Sequence, residues 1–181
     1  MRNRKVWWFL SRIMLFYVPT ILQPMRLEAA GAALVRQGSF DLLPRVKLEV
    51  RASPFIASRH RIERCPAPYE DNVCTIDGKV FFGTDGDLPS TQLDSMVLQI
   101  GGQRADLDIS GMFEPWVDRP RRESFTASET DEGLGIYKVV GTFSDGAGFY
   151  VAEWLVTAHG SVRTLLTHDE HIIDCTSDET A

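Results

Sequence analysis

The chain has 181 residues, 44% hydrophobic and 24% charged, the balance of an ordinary soluble globular domain. These figures exclude a disordered chain, a coiled coil, a collagen-like chain and a polytopic membrane protein, and they allow one sizeable core without a metal or a dense disulfide frame. The formal net charge is −6; the basic residues Arg2, Arg4, Lys5, Arg12 and Arg26 all precede the first acid, so the remainder carries −11. An acidic body repels phosphate backbones, which excludes nucleic acid as a general partner.

Residues 1–33 read as a segment apart. Met1 to Lys5 is basic, Val6 to Met25 is mostly apolar, and Ala29-Ala30-Gly31-Ala32-Ala33 supplies small residues. That order is the order of a secretory signal peptide, with the mature start expected near Ala33. Arg12, Pro19 and Pro24 interrupt the apolar run, so two other readings stand beside it. An uncleaved anchor is the second, because the 20 residues 6–25 just span a bilayer. An amphipathic helix on the domain is the third, and Trp7-Trp8-Phe9-Leu10 counts against it by being apolar all round. Export is preferred over a cytosolic fate.

Residues 34–175 are expected to form a single β-rich domain, followed by a polar tail, 176–181. Val46, Leu48 and Val50 alternate with Lys47, Glu49 and Arg51, the pattern of a half-buried strand. Cys65 and Cys74 bracket a turn-rich stretch, and a bridge between them would add roughly 2–3 kcal/mol in the chain-entropy model. Three cysteines are an odd number, so Cys175 would stay free or pair elsewhere. Three reduced thiols are the plain alternative, and the spacing is not a zinc pattern.

Asp77-Gly78 between Val73–Ile76 and Lys79–Phe82 predicts a two-residue hairpin turn. A single helical turn is expected near Ser90 to Leu93. Met96–Ile100 leads into a second hairpin, whose return strand, Arg104 to Ser110, alternates regularly and has one wet face. Residues 114–134, with Pro115, Pro120 and many charges, read as a long mobile loop. The last third reads as a meander: 135–143, a turn at 144–148, 149–157, a turn at His159-Gly160, and 161–167. Its apolar strands should be central. The whole predicts an all-β, mainly antiparallel fold, a sandwich or open barrel of about seven short strands, preceded by an N-terminal apolar helical segment.

Residues capable of chemistry are few. His168 and His171 at i, i+3, with Asp169 and Glu170 between them, would serve as metal ligands, but the metalloprotease spacing is absent and a polar loop is the preferred reading. Asp85 and Asp87 read as turn residues, and Asp106 and Asp108 as acids on a wet strand face. There is no Gly-x-Ser-x-Gly elbow, phosphate loop or dinucleotide fingerprint, and no cofactor is expected. Trp116 begins the charged loop, so it reads either as a contact anchor beside Arg119, Arg121 and Arg122 or as a residue folded back over the end of the fold. A turn at 158–160 would pair Leu155 with Arg163 and place Glu153 diagonal to Arg163 as an ion pair; a turn holding only His159-Gly160 would put them on opposite faces. The function expected is that of an exported β-domain that binds a protein partner or surface component without catalysis. The alternatives are a small metal-dependent hydrolase using the acidic and histidine cluster, and a membrane-anchored accessory subunit held through residues 6–25.

Overall fold

The computed structural model describes residues 35–131, 133–169 and 171–173. The expected leader, anchor or helix of residues 1–33, Cys175 and the polar tail lie outside the described residues. Strands β1 (Arg36–Leu43), β2 (Val46–Pro54), β3 (Ile62–Arg64), β4 (Val73–Ile76) and β5 (Thr91–Ile100) come first in the chain. They are followed by β6 (Gln103–Asp106), β7 (Phe125–Glu129), β8 (Tyr137–Phe143), β9 (Tyr150–Thr157) and β10 (Gly160–Thr167). The chain is mostly antiparallel β: one sheet has the order β1-β2-β5-β6, a second β10-β9-β8-β7, and β3 pairs with β4.

Alternation decides which residues go inward. Val46, Leu48, Val50 and Ala52 of β2 are buried, as are Tyr150, Ala152, Trp154 and Val156 of β9. Both four-stranded sheets contribute to one buried cluster, with Met96 and Leu98 from the first and Val139, Phe143 and Trp154 from the second. Each fully buried large apolar side chain contributes about 1.5–3 kcal/mol. Two buried aromatics have their polar tips satisfied: Tyr150 Oη donates to the Phe113 carbonyl at 3.0 Å, and Trp154 Nε1 to that of Asp108 at 3.0 Å. The strands expected to be central, β8 and β9, are the inner pair of their sheet.

The two sheets meet at both flanks. Arg122 donates to the Asp41 and Leu42 carbonyls of β1 and to the Phe125 carbonyl of β7. Phe40 and Phe125 lie 5.7 Å apart between ring centres on the same flank. On the other flank Arg163 of β10 donates to the Asp108 and Ser110 carbonyls just beyond β6.

Four expectations are corrected. Residues 114–134 are not one mobile loop: Pro115 and Trp116 are buried, and Phe125–Glu129 is β7, paired with β8. The Asp77-Gly78 turn forms, with φ of 56° and 74°, but the returning segment makes a single bridge, Ile76 with Lys79, before leaving the sheet. No helical turn forms at 90–93; β5 begins at Thr91. The last hairpin turns at Ala158-His159, so Arg163 pairs with Trp154 on the inner face and a bulge follows before Leu165 meets Glu153. Glu153 accepts instead from the Thr164 hydroxyl at 2.6 Å. The pairing of Glu153 with Arg163 is therefore absent, because the shorter turn sends Arg163 to the opposite face.

Candidate functional site

The chain at Ser58-Arg59-His60-Arg61 leaves a single helical turn and enters β3. Antiparallel pairing of Ile62 with Ile76 sets residues 60 and 61 opposite Asp77. The left-handed backbone of Asp77 turns its carboxylate back over them: Oδ1 accepts the Arg61 amide at 2.9 Å and Oδ2 accepts from His60 Nδ1 at 2.8 Å. The other ring nitrogen, His60 Nε2, meets Gln92 Oε1 of β5 at 3.0 Å. The imidazole stacks on Phe55 with 4.5 Å between ring centres and stands edge-on to Phe113. Only 17% of the His60 side chain is exposed. His60 thus ties three segments together, and the hydrogen bond from His60, helped by the Arg61 amide, holds the Asp77 carboxyl below its ordinary range.

These residues border a cleft of about 240 Å³ whose far wall is the segment Ile109–Phe113. That wall is built by close backbone contact: the Phe82 amide donates to the Gly111 carbonyl and the Phe113 amide to that of Phe82. Gly111 has φ +79°, and a Cβ there would stand 2.8 Å from the Val80 carbonyl oxygen, so the approach requires glycine. Ile76, Leu93, Met112 and Phe113 line the cleft and are all buried. Lys79 stands at its exposed rim, without a salt-bridge partner among the described residues.

Behind Ser110 lies a second polar group. Arg163, 16% exposed, reaches the Asp108 carboxylate at 3.3 Å and the Ser110 carbonyl at 2.7 Å. Burial alone would raise the Asp108 carboxyl; the Ser110 amide and hydroxyl and the charges of Arg163 and Lys79 outweigh it and hold the carboxyl low. Burial raises the Tyr150 phenol well above its usual value, with the Arg163 charge opposing. In a larger open groove on the outer face of the first sheet, Arg104 pairs with Glu49 at 3.0 Å, and Arg51 pairs with Asp94 outside the lining at 3.6 Å.

The residues singled out by sequence are dispersed. Trp116 is buried against the core, 6.4 Å from Phe143 between ring centres, and its Nε1 has no partner among the described residues. Arg122 is spent on three carbonyls, whereas Arg119 and Arg121 are exposed. His168 is exposed beside Phe82, and His171 lies in the helical residues 171–173 with its amide on Asp169. Among the described residues no group of three or more histidines, cysteines or acids is placed to hold a metal. Cys65 and Cys74 are bridged across the β3–β4 hairpin with their Cα atoms 4.9 Å apart. The cluster that sequence reasoning missed is His60, Asp77 and Gln92; they are 17 and 32 residues apart, and only strand register assembles them.

The cleft presents His60, Asp77, Gln92, Lys79 and Ser110 beside the apolar residues Ile76, Leu93, Met112 and Phe113. Both His60 ring nitrogens are committed, so the imidazole has no free lone pair with which to accept a proton from a nucleophile. The Ser110 hydroxyl is engaged by Arg163 and Asp108, and neither is a base matched to a serine. Comparison with protein-family models, curated proteins and solved structures returned no match.

Proposed function

We propose that the chain is an exported β-domain that binds a partner molecule without catalysis, and that the cleft beside His60 is its recognition site. The adjoining flanks of the two four-stranded sheets support a sandwich or flattened barrel as the carrier. Such a scaffold holds loops rigidly at its ends, where binding residues are commonly placed. The observation that carries the reading is the doubly bonded His60 at the edge of a partly apolar cleft: the ring ties together the segments that form its walls. A small concave site with buried apolar walls and few polar groups is the usual form of a recognition pocket.

Export is supported by the basic, apolar and small-residue order of residues 1–33 and by the Cys65–Cys74 bridge, since bridges persist in oxidising compartments. Among the described residues no helix is long and apolar enough to cross a membrane. For the metal-dependent hydrolase, no group of three or more metal-binding side chains is found around His168 and His171 among the described residues.

The test is photo-crosslinking in the cell that makes the chain, with a diazirine amino acid placed at Lys79 and, as a control, at Lys47 on β2. An adduct of discrete mass formed from position 79 and not from position 47 is expected. Identical adduct patterns from both positions, or none from position 79, would refute recognition at the cleft.

A further inference from the structure

We propose that His60 and Gln92 form a proton-coupled switch. The Gln92 carboxamide turns its oxygen to the ring when the imidazole is charged, and its nitrogen when the imidazole is neutral. Asp77 fixes one side of the ring. Its carboxylate lies 2.8 Å from His60 Nδ1, and a carboxylate only accepts, so Nδ1 carries a proton in both states. The lowered Asp77 carboxyl, whose largest cause is this hydrogen bond, agrees with a donor at Nδ1. The other neutral tautomer would set a bare Nδ1 lone pair against the carboxylate and lose the bond.

The change of protonation therefore falls on Nε2, which faces Gln92 Oε1 at 3.0 Å. That contact is a hydrogen bond only while Nε2 holds a proton. Once the proton leaves for solvent, two lone pairs oppose one another beside the rings of Phe55 and Phe113, at a side chain only 17% exposed. Unpaired acceptors in such a setting are costly. A half-turn of the carboxamide removes the cost, because its oxygen and nitrogen are nearly alike in size and its terminal torsion is soft. A carboxamide matches both states of the ring, as neither a carboxylate nor an alkyl side chain does.

The charged groups about the ring are few. Asp77 touches it from the turn after β4, Lys79 follows at the cleft rim, and Arg59 and Arg61 flank it in the chain. Arg61 is paired with Glu63, and Asp94, two residues along β5, is held by Ser53 and Arg51. Glu114, next to Phe113, accepts from the Ser90 amide, and Asp108 is paired with Arg163. Gln92 lines the cleft, so its carboxamide atom turned away from the ring is left to the cleft. That atom is a donor beside a charged His60 and an acceptor beside a neutral one. On the reading of the cleft as a recognition site, a partner that donates to Gln92 is released as the ring is protonated. The switch itself rests on the contacts of the ring alone.

The test is long-range 1H–15N NMR of the His60 ring in the full chain as pH is varied, with the ring assigned by its NOEs to Phe55. At high pH the Nδ1–H tautomer is expected, with a scalar coupling between Nε2 and the Gln92 carboxamide nitrogen. At low pH both ring nitrogens should be protonated, and the coupling should vanish with the same midpoint. Gln92→Glu, which only accepts, should raise the midpoint of the ring by about one pH unit or more. An Nε2–H tautomer at high pH, or a neutral ring without coupling to the carboxamide, would overturn the inference. So would a ring that keeps one protonation state from about pH 4 to about pH 9, or an unchanged midpoint in Gln92→Glu. If crosslinks from position 79 form while the switch fails, the recognition reading stands alone. If they are absent while the coupling is seen, the switch stands and the recognition reading falls.

Discussion

At the scale of single residues, the hydrogen bonds of His60 and Arg163 explain more than their place in the sequence does. His60 is mostly buried and holds two partners, so His60→Ala is expected to cost about 2 kcal/mol in urea unfolding. The Asp77 carboxyl is lowered first by the His60 hydrogen bond, then by the Arg61 amide, against a small burial penalty. A group lowered on folding stabilises fully above its unfolded value, near 4, and loses that contribution as pH falls through the folded value. Asn tolerates the left-handed turn, so Asp77→Asn isolates the charge. The stability gap between wild type and Asp77→Asn should be full at pH 6 and narrow as pH falls below about 4; a gap that does not change over that range contradicts the assignment. Arg163 gives the second residue-scale prediction. Its side chain and that of Glu153 occupy opposite faces, so a double-mutant cycle on the two should be additive within about 0.5 kcal/mol. Arg163→Ala alone should cost about 2–3 kcal/mol, because it strips the Asp108 and Ser110 groups of their donor. A coupling above 1 kcal/mol between the two sites would show that the hairpin has another register.

At the scale of elements, legibility in the sequence followed local chemistry. β2 was readable because Val46, Leu48 and Val50 alternate with charges, and the β5–β6 hairpin because Gly101 and Gly102 take φ of +58° and +94°. β1 was not, since RQGSFDLL is a mostly half-exposed flank strand with one buried residue, Leu42. β7 was hidden by its charged surroundings; Phe125 is its one fully buried residue, with Ala127 packed beside it against the core. The segment after Gly78 read as a strand because Val80-Phe81-Phe82 is β-prone, but it is consumed in bracing the cleft wall, where Phe82 bridges Met112. The cleft was illegible for a different reason. Its residues come from four separate stretches, and no spacing within any one of them carries its signature. The bracing yields a prediction: a Cβ on Gly83 would stand 2.0 Å from the Phe113 carbonyl oxygen, at φ +115°. Gly83→Ala should therefore cost on the order of 3 kcal/mol or more. Gly102→Ala, with a similar left-handed backbone but open space around it, should cost about 1 kcal/mol. Equal thermal shifts for the two variants would contradict the close approach that forms the wall.

At the scale of the whole molecule, the two four-stranded sheets share one core and are clamped by an arginine at each flank, Arg122 on one side and Arg163 on the other. Arginine suits this work because its planar fork donates to several carbonyls at once. The smaller β3–β4 hairpin is held by a disulfide and by His60, and it carries Asp77 and Lys79 to the cleft. The cleft proposed as the recognition site thus lies between this hairpin and the core residues Leu93 and Met112. The proposal of export rests on the Cys65–Cys74 bridge, which persists in an oxidising compartment, and on the order of residues 1–33. The most direct test is mass mapping, without prior reduction, of the protein recovered from its own cells after fractionation. The expected result is a Cys65–Cys74 bridge in extracytoplasmic material whose terminus lies near Ala33, or in the membrane fraction if the apolar run is retained. Recovery from soluble cytosol with an intact Met1 terminus and both thiols free would contradict it.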